Sequence, residues 1–145
     1  MASHEPQIYL ASRSPRRHEL LRQIAVPFHP LVVNVDETPG DDESPEVYVI
    51  RLALEKARAG WRQVESQRPL PVLGADTAVV LDDHRILGKP VDRDEALDML
   101  RTLSGNTHRV LTGLALVDDR EATRLSVSSV TFRELREDEL LSYWE

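Results

Sequence analysis

PVLGADTAVVL, residues 71–81, sits at the middle of the chain and decides how the rest is read. Its Val, Ala, Thr and Leu residues suit a strand, while Gly74-Ala75-Asp76 interrupts the β-rich run and leaves one carboxylate at the end of an apolar segment. Strand ends in α/β sheets hold side chains rigidly beside open space, so Asp76 is the acid expected to carry chemistry. An Asx turn between two strands would use the same aspartate without any chemistry.

Outward from that stretch, βα units alternate with a hairpin. Ile8–Ala11 reads as a short strand; Ser14 as N-cap and Pro15 at the first helical position open a helix to about Ile24. Phe28–Val35 reads as a strand, and DETPGDDESP, residues 36–45, as a loop. Ser44 and Pro45 start a second helix, in which Ile50, Leu54, Ala57, Trp61 and Val64 recur at spacings of three and four. Asp82-Asp83 makes a turn, Arg85–Leu87 is extended, and Asp94–Leu103 is helical up to the Ser104-Gly105-Asn106 turn. His108–Val117 and Thr123–Phe132 read as paired strands, and Glu137–Trp144 as a last helix. The implied architecture is one α/β domain, residues 1–145, with a mixed sheet flanked by helices.

Composition excludes several classes. A net charge of −7 leaves no basic face wide enough to follow a nucleic-acid backbone. With no cysteine, disulfides, thiolate nucleophiles and Cys-type zinc sites are absent together, which fits a cytoplasmic protein. The apolar stretches are strand-sized, so neither a signal peptide nor a membrane span is expected. Five histidines show no metal-ligand spacing, and His108 is expected to pack or hydrogen-bond at the start of its strand. Neither a P-loop nor G-x-G-x-x-G occurs.

Within this acidic chain, YLASRSPRRHELL, residues 9–21, concentrates positive charge at a bend. A helix N-terminus there would offer N–H donors to a phosphate, with hydroxyls from Ser12 and Ser14 and guanidinium groups from Arg16 and Arg17. The plainer alternative is a capped helix with solvated arginines. Lys89, in Gly88-Lys89-Pro90, could reach a polyphosphate or be a hydrated loop lysine. Lys56 continues the stripe of Tyr48 and Leu52, so its stem could cross buried surface to a site or run out to solvent. A hard divalent cation, Mg²⁺ or Mn²⁺, takes one or two protein carboxylates and completes its shell with substrate oxygens; Glu37 and Asp76 meet that need. Asp41, Asp42 and Glu43 read as a solvated acidic loop.

Together these blocks resemble the Maf family of nucleoside triphosphate pyrophosphatases: Ser12–Arg17, Val35-Asp36-Glu37, Arg51-Leu52-Ala53 with Glu55-Lys56-Ala57, Gly74–Thr77, Gly88-Lys89-Pro90, and Leu103-Ser104-Gly105 with His108. The resemblance implies two lobes with a cleft, in a fold related to inosine triphosphate pyrophosphatases and Ham1. It also implies hydrolysis of a nucleoside triphosphate to the monophosphate and pyrophosphate with a divalent metal. In that resemblance Asp76 is the proton acceptor, and Ser12, Arg16, Arg17, Glu37, Lys56 and Lys89 are polar cleft residues. Arg16 and Thr77 resemble the subgroup acting on dTTP and UTP, where the subgroup preferring 7-methyl-GTP carries Trp and Gln. The family pattern continues past position 145 with a segment resembling DKAGAYxIQG, which supplies an acid, a lysine and a specificity glutamine. A different class, a nucleotide-sensing, septum-associated protein that does not hydrolyse, fits the same motifs, as does a phosphatase releasing orthophosphate. Monomer and homodimer are both open.

Overall fold

The computed structural model describes residues 5–81, 85–88 and 90–144, apart from the side chains of the last two. In chain order the elements are β1 (Ile8–Leu10), α1 (Pro15–Gln23), β2 (Phe28–Pro30), α2 (Pro45–Val64), β3 (Val72–Val80), β4 (Ile86–Leu87), α3 (Arg93–Leu103), β5 (Thr107–Val117), β6 (Glu121–Thr131) and α4 (Glu137–Trp144). The strand order is β2-β1-β3-β5-β6, with β4 on β3. β1 runs parallel to β2 and β3, and β4 runs antiparallel to β3, which makes the sheet mixed.

Helix starts follow local chemistry. Ser14 and Ser44 each accept a backbone N–H from three residues on, Arg17 and Val47, and each precedes a proline whose missing N–H is no loss in a first turn. Asp92 does the same for α3 by accepting from Glu95. Gly105, at φ 68, takes the left-handed conformation that the turn after α3 requires.

The central run differs from its reading. β3 is continuous from Val72 to Val80, so Gly74-Ala75-Asp76 neither interrupts it nor forms an Asx turn. Asp76 stands inside the strand, not at its end. Ladder bonds to β1 fix the start of the strand: the Tyr9 and Ala11 N–H groups donate to the Pro71 and Leu73 carbonyls at 2.8 and 2.9 Å. Phe28–Val35 is also corrected, since β2 ends at Pro30. β1 is three residues long, and after the Leu31 N–H has donated to the Leu10 carbonyl no β1 residue remains to pair with.

The chain forms two compact units. The first contains the described residues up to Asp76 together with Thr112–Ser126. Its core joins Tyr9, Ala11, Ala53, Ala57, Val72, Ala115 and Val117. The buried face of α2 is Val49, Leu52, Ala53, Ala57, Gly60 and Val64, turned by about one residue from the expected stripe: Ile50, Leu54 and Trp61 are half-buried. Two strand glycines set that face. A Cβ on Gly74 would lie 2.2 Å from the Ala53 carbonyl oxygen, and one on Gly113 2.4 Å from that of Val49. Absent side chains at these positions let the helix backbone lie directly on the sheet.

The second unit contains the described residues between Thr77 and Leu111 and from Val127 onward. It buries Ala78, Val80, Ala96, Leu97, Leu103, Leu111 and Leu140. His108 is buried there, packed edge-to-face on Phe132 at 5.1 Å, and its Nδ1 has no partner among the described residues. No helix among the described residues is long and apolar enough to cross a membrane. The Asp82-Asp83 turn lies outside the described residues.

Candidate active site

Asp76 reaches its neighbours because α2 lies so close to β3. The Lys56 ammonium donates to Asp76 Oδ1 at 3.0 Å and to the Ala75 carbonyl at 3.5 Å. It also meets Glu37 Oε1 at 3.2 Å. The Lys56 and Asp76 side chains are 16% and 11% exposed, so the lysine stem crosses buried surface to a site and does not run out to solvent. One ammonium therefore bridges two carboxylates from separate segments, all within the first unit.

Burial pushes the Asp76 carboxyl above the usual carboxylate range; Lys56 opposes this by charge and hydrogen bond, Glu37 adds to it, and Arg17 opposes it. Arg17 extends from the first turn of α1, where burial pulls its guanidinium down and Asp76 and Glu37 pull it up. The charges of Lys56 and Arg17 thus fall on the same pair of acids.

The bend before α1 is held from within. Ser12 Oγ accepts the Ser14 N–H at 3.1 Å and Arg17 Nη1 at 3.4 Å. His18 Nε2 lies 2.8 Å from the Ser12 carbonyl oxygen, and Arg13 Nη2 donates to Asn34 Oδ1 at 3.2 Å. Ser14 serves as the cap by accepting the Arg17 N–H. Arg16, beside it, is exposed. Thr77 follows Asp76 along β3 and is exposed; alternation along a strand sends its side chain to the opposite face from Asp76. The structure thus brings Asp76, Lys56, Glu37 and Arg17 together, with Ser12 bonded to Arg17. Arg16 and Thr77 are exposed, and Lys89 lies outside the described residues.

Three residues were missed. Tyr48 donates its phenol hydrogen to the Glu37 carbonyl at 2.6 Å. Burial raises its pKa, with Asp76 and then Glu37 adding to the rise. Arg51 is bonded to Glu43 and to Glu55, and Glu43 is not solvated: its side chain is 10% exposed. A weak signal for this lay in the sequence, where Arg51 and Glu55 have the i,i+4 spacing of a helix ion pair.

The donor set suits a hard divalent cation. Two carboxylates already converge on one positive centre, which is the number that magnesium commonly takes from protein. No group of three or more histidine or acidic side chains that could hold a metal ion gathers among the described residues.

A profile described as Maf-like protein matches residues 7–145. The dTTP/UTP pyrophosphatase of Alkalilimnicola ehrlichii is 61% identical over 144 residues, covering 97% of this chain and 71% of that protein. The protein of the same name from Xanthomonas euvesicatoria pv. vesicatoria is 52% identical over 139 residues, covering 94% and 73%. That from Escherichia coli O157:H7 is 49% identical over 137 residues, covering 94% and 68%. Among solved structures, a nucleoside-triphosphatase, dITP/XTP pyrophosphatase, from Mycobacterium abscessus superposes with a TM-score of 0.56 at 21% identity, covering 86% of this chain and 72% of that one. The Staphylococcus aureus Ham1 protein does so with 0.50 at 13% identity, covering 85% and 69%. These two likenesses show the fold.

Proposed function

The chain belongs to the Maf family, and from that membership and the geometry around Asp76 we propose that it hydrolyses dTTP and UTP to the monophosphate and pyrophosphate. The observation that carries the site is the Lys56 ammonium held between the Asp76 and Glu37 carboxylates, with the Arg17 guanidinium in their field.

Asp76 takes a proton from a water molecule, whose oxygen attacks the α-phosphorus. The bond from that phosphorus to the bridging oxygen breaks, and pyrophosphate leaves with the bond's electrons. A buried carboxylate is a better base than a solvated one, because burial disfavours its charged form and the proton relieves it. Lys56 opposes that rise in pKa by its charge and its hydrogen bond. Long-range attraction cannot draw a polyphosphate to a chain of net charge −7, so local cations must do so. Lys56 and Arg17 supply them, with the N–H groups of the α1 start and the Ser12 and Ser14 hydroxyls as donors. Arg16 and Lys89 are assigned to the polyphosphate, and Arg16 with Thr77 to the choice of pyrimidine base; the names of the relatives support that choice. Glu37 and Asp76 would hold Mg²⁺ or Mn²⁺, which supplies charge stabilisation to phosphate oxygens. A chain without cysteine suits the cytoplasm.

Incubation with dTTP or UTP and magnesium is expected to release pyrophosphate and no orthophosphate. Asp76→Asn, which keeps shape and removes the base, is expected to lower kcat on the order of 10²–10⁴-fold. Parental turnover in that variant would overturn the assignment of the base.

A further inference from the structure

Glu37 sits on a segment whose composition favours disorder. DETPGDDE, residues 36–43, carries five acids, a proline and a glycine, and the Glu37 side chain itself is 53% exposed. An ion pair that open does not hold a carboxylate in one place. Something else fixes the backbone under it.

That support comes from the first turns of α2. Tyr48 donates to the Glu37 carbonyl, and Arg51 Nη2 donates to the Thr38 carbonyl at 3.1 Å. Arg51 Nε and Nη2 grip Glu43 Oε2 and Oε1 at 2.5 and 2.8 Å, and Glu43 Oε1 accepts the Gly40 N–H at 3.0 Å. Backbone groups of residues 37, 38 and 40 are therefore tied, directly or through Glu43, to α2. Arg51 Nη1 is spent on both oxygens of Glu55, at 3.1 and 3.2 Å. Every nitrogen of the guanidinium is engaged inside the protein, so Arg51 is poorly placed to receive a phosphate. Its planar fork suits a clamp better than an ammonium would.

We infer that Arg51, assisted by Tyr48, is a positioning residue: by gripping Glu43 and the Thr38 carbonyl it fixes residues 37–40 and so holds the Glu37 carboxylate against Lys56. The role rests on the proposed hydrolysis at Asp76, whereas the order of the loop does not. The clamp acts through Glu37, and that separates it from a merely stabilising ion pair.

A double-mutant cycle of Arg51→Met and Glu37→Gln tests it, with kcat and KM for dTTP and amide hydrogen exchange at Glu37, Thr38 and Gly40 as readouts. Displacing a positioned group by an ångström can lower rate about 10²-fold, so Arg51→Met is expected to lower kcat by about tenfold to hundredfold. In the Glu37→Gln background the same change is expected to alter kcat less than about twofold, because its target is already gone. Arg51→Lys is expected not to rescue the rate, and exchange at the three amides is expected to rise at least about tenfold in Arg51→Met. Equal losses in both backgrounds, or unchanged exchange, would overturn the inference. A parent that releases no pyrophosphate while Arg51→Met still loosens the loop would sink the hydrolysis and support the clamp. If Arg51→Met does not fold by circular dichroism, Glu43→Gln, which keeps shape and removes the charge that Arg51 grips, carries the same cycle.

Discussion

The two units are stitched with the same residue types and use them differently. In the first, the Lys56 and Asp76 side chains that meet are mostly shielded from water, with the more open Glu37 joining them, and Arg51 spends its whole fork on two glutamates and a carbonyl. In the second, Arg101 bonds Asp98 and Glu137, and Arg133 bonds Glu139, on open surface: Arg101 is 43% and Glu137 61% exposed. Water screens the second set, and each pair there contributes little. Around Asp76 the same Coulomb attraction acts with less water, so it can shift an acid and hold a cation where charge develops. Burial, more than the choice of charged residue, separates chemistry from solubility here.

Among the tests of this contrast, the largest effect should come from removing the bridging ammonium. Lys56→Met keeps the length of the stem and is expected to lower kcat/KM on the order of 10²–10³-fold, as loss of one preorganised charge-stabilising donor does. It also gives a pH test with a fixed sign. Lys56 holds the Asp76 pKa down against burial, so the acid limb of the kcat/KM profile is expected to move to higher pH in Lys56→Met. A carboxyl whose folded pKa is raised stabilises the fold below its unfolded pKa, and that contribution is lost as pH rises through the folded value. Lys56→Met widens that window upward. An acid limb that stays put, or moves down, breaks the contrast between the two units.

The next effect tests the contact that makes the first unit's charges close. Gly74→Ala puts a methyl group 2.2 Å from a carbonyl oxygen of α2 and 2.8 Å from the Ala57 nitrogen, so helix and strand must part. Overpacking of this kind costs about 1–3 kcal/mol, read from denaturant midpoints, and should lower turnover as Lys56 is carried away from Asp76. Gly88, in the second unit, has nothing among the described residues beyond its chain neighbours within 4 Å of where a Cβ would lie, and Gly88→Ala is expected to stay within about 0.5 kcal/mol of the parent. Equal costs at the two glycines would erase the distinction.

What could be read in the sequence was what local chemistry decides. Ser14-Pro15 and Ser44-Pro45 start helices wherever they stand in space, and the motif blocks pointed to Asp76, Lys56, Glu37 and Arg17 before any coordinate did. Continuity of β3 was not legible. Gly74-Ala75-Asp76 has the composition of a turn, and only in the folded protein, with the backbone of α2 pressed on Gly74, is it a strand. The reverse happened at Val32–Val35, which has strand composition and no β1 residue left to pair with. Glu43 misled for a related reason: an acid among acids reads as solvated until Arg51, eight residues on, is folded back over it. The family pattern named residues that bear the charge, whereas the residues that aim it depend on tertiary contacts.

The smallest effect is the one that shows whether exposure truly separates the two sets. Glu137 accepts two hydrogen bonds from Arg101, at 2.5 and 3.4 Å, and Arg101 pulls its pKa down, a shift that in a buried site would signal a strong pair. The short distance alone would rank it with Lys56 and Asp76. Both partners are open to water, however, and ordering two long side chains offsets much of the attraction. Arg101→Ala is therefore expected to change stability by less than about 1 kcal/mol, and that change should shrink as salt is raised toward 1 M. Turnover should be unaltered, since the hydrogen bonds of Arg101 go to Asp98 and Glu137, neither of which is assigned to the chemistry. A loss of several kcal/mol, insensitive to salt, would mean that geometry outweighs screening on this surface, and the second unit's charges would then need the same structural account as the first's.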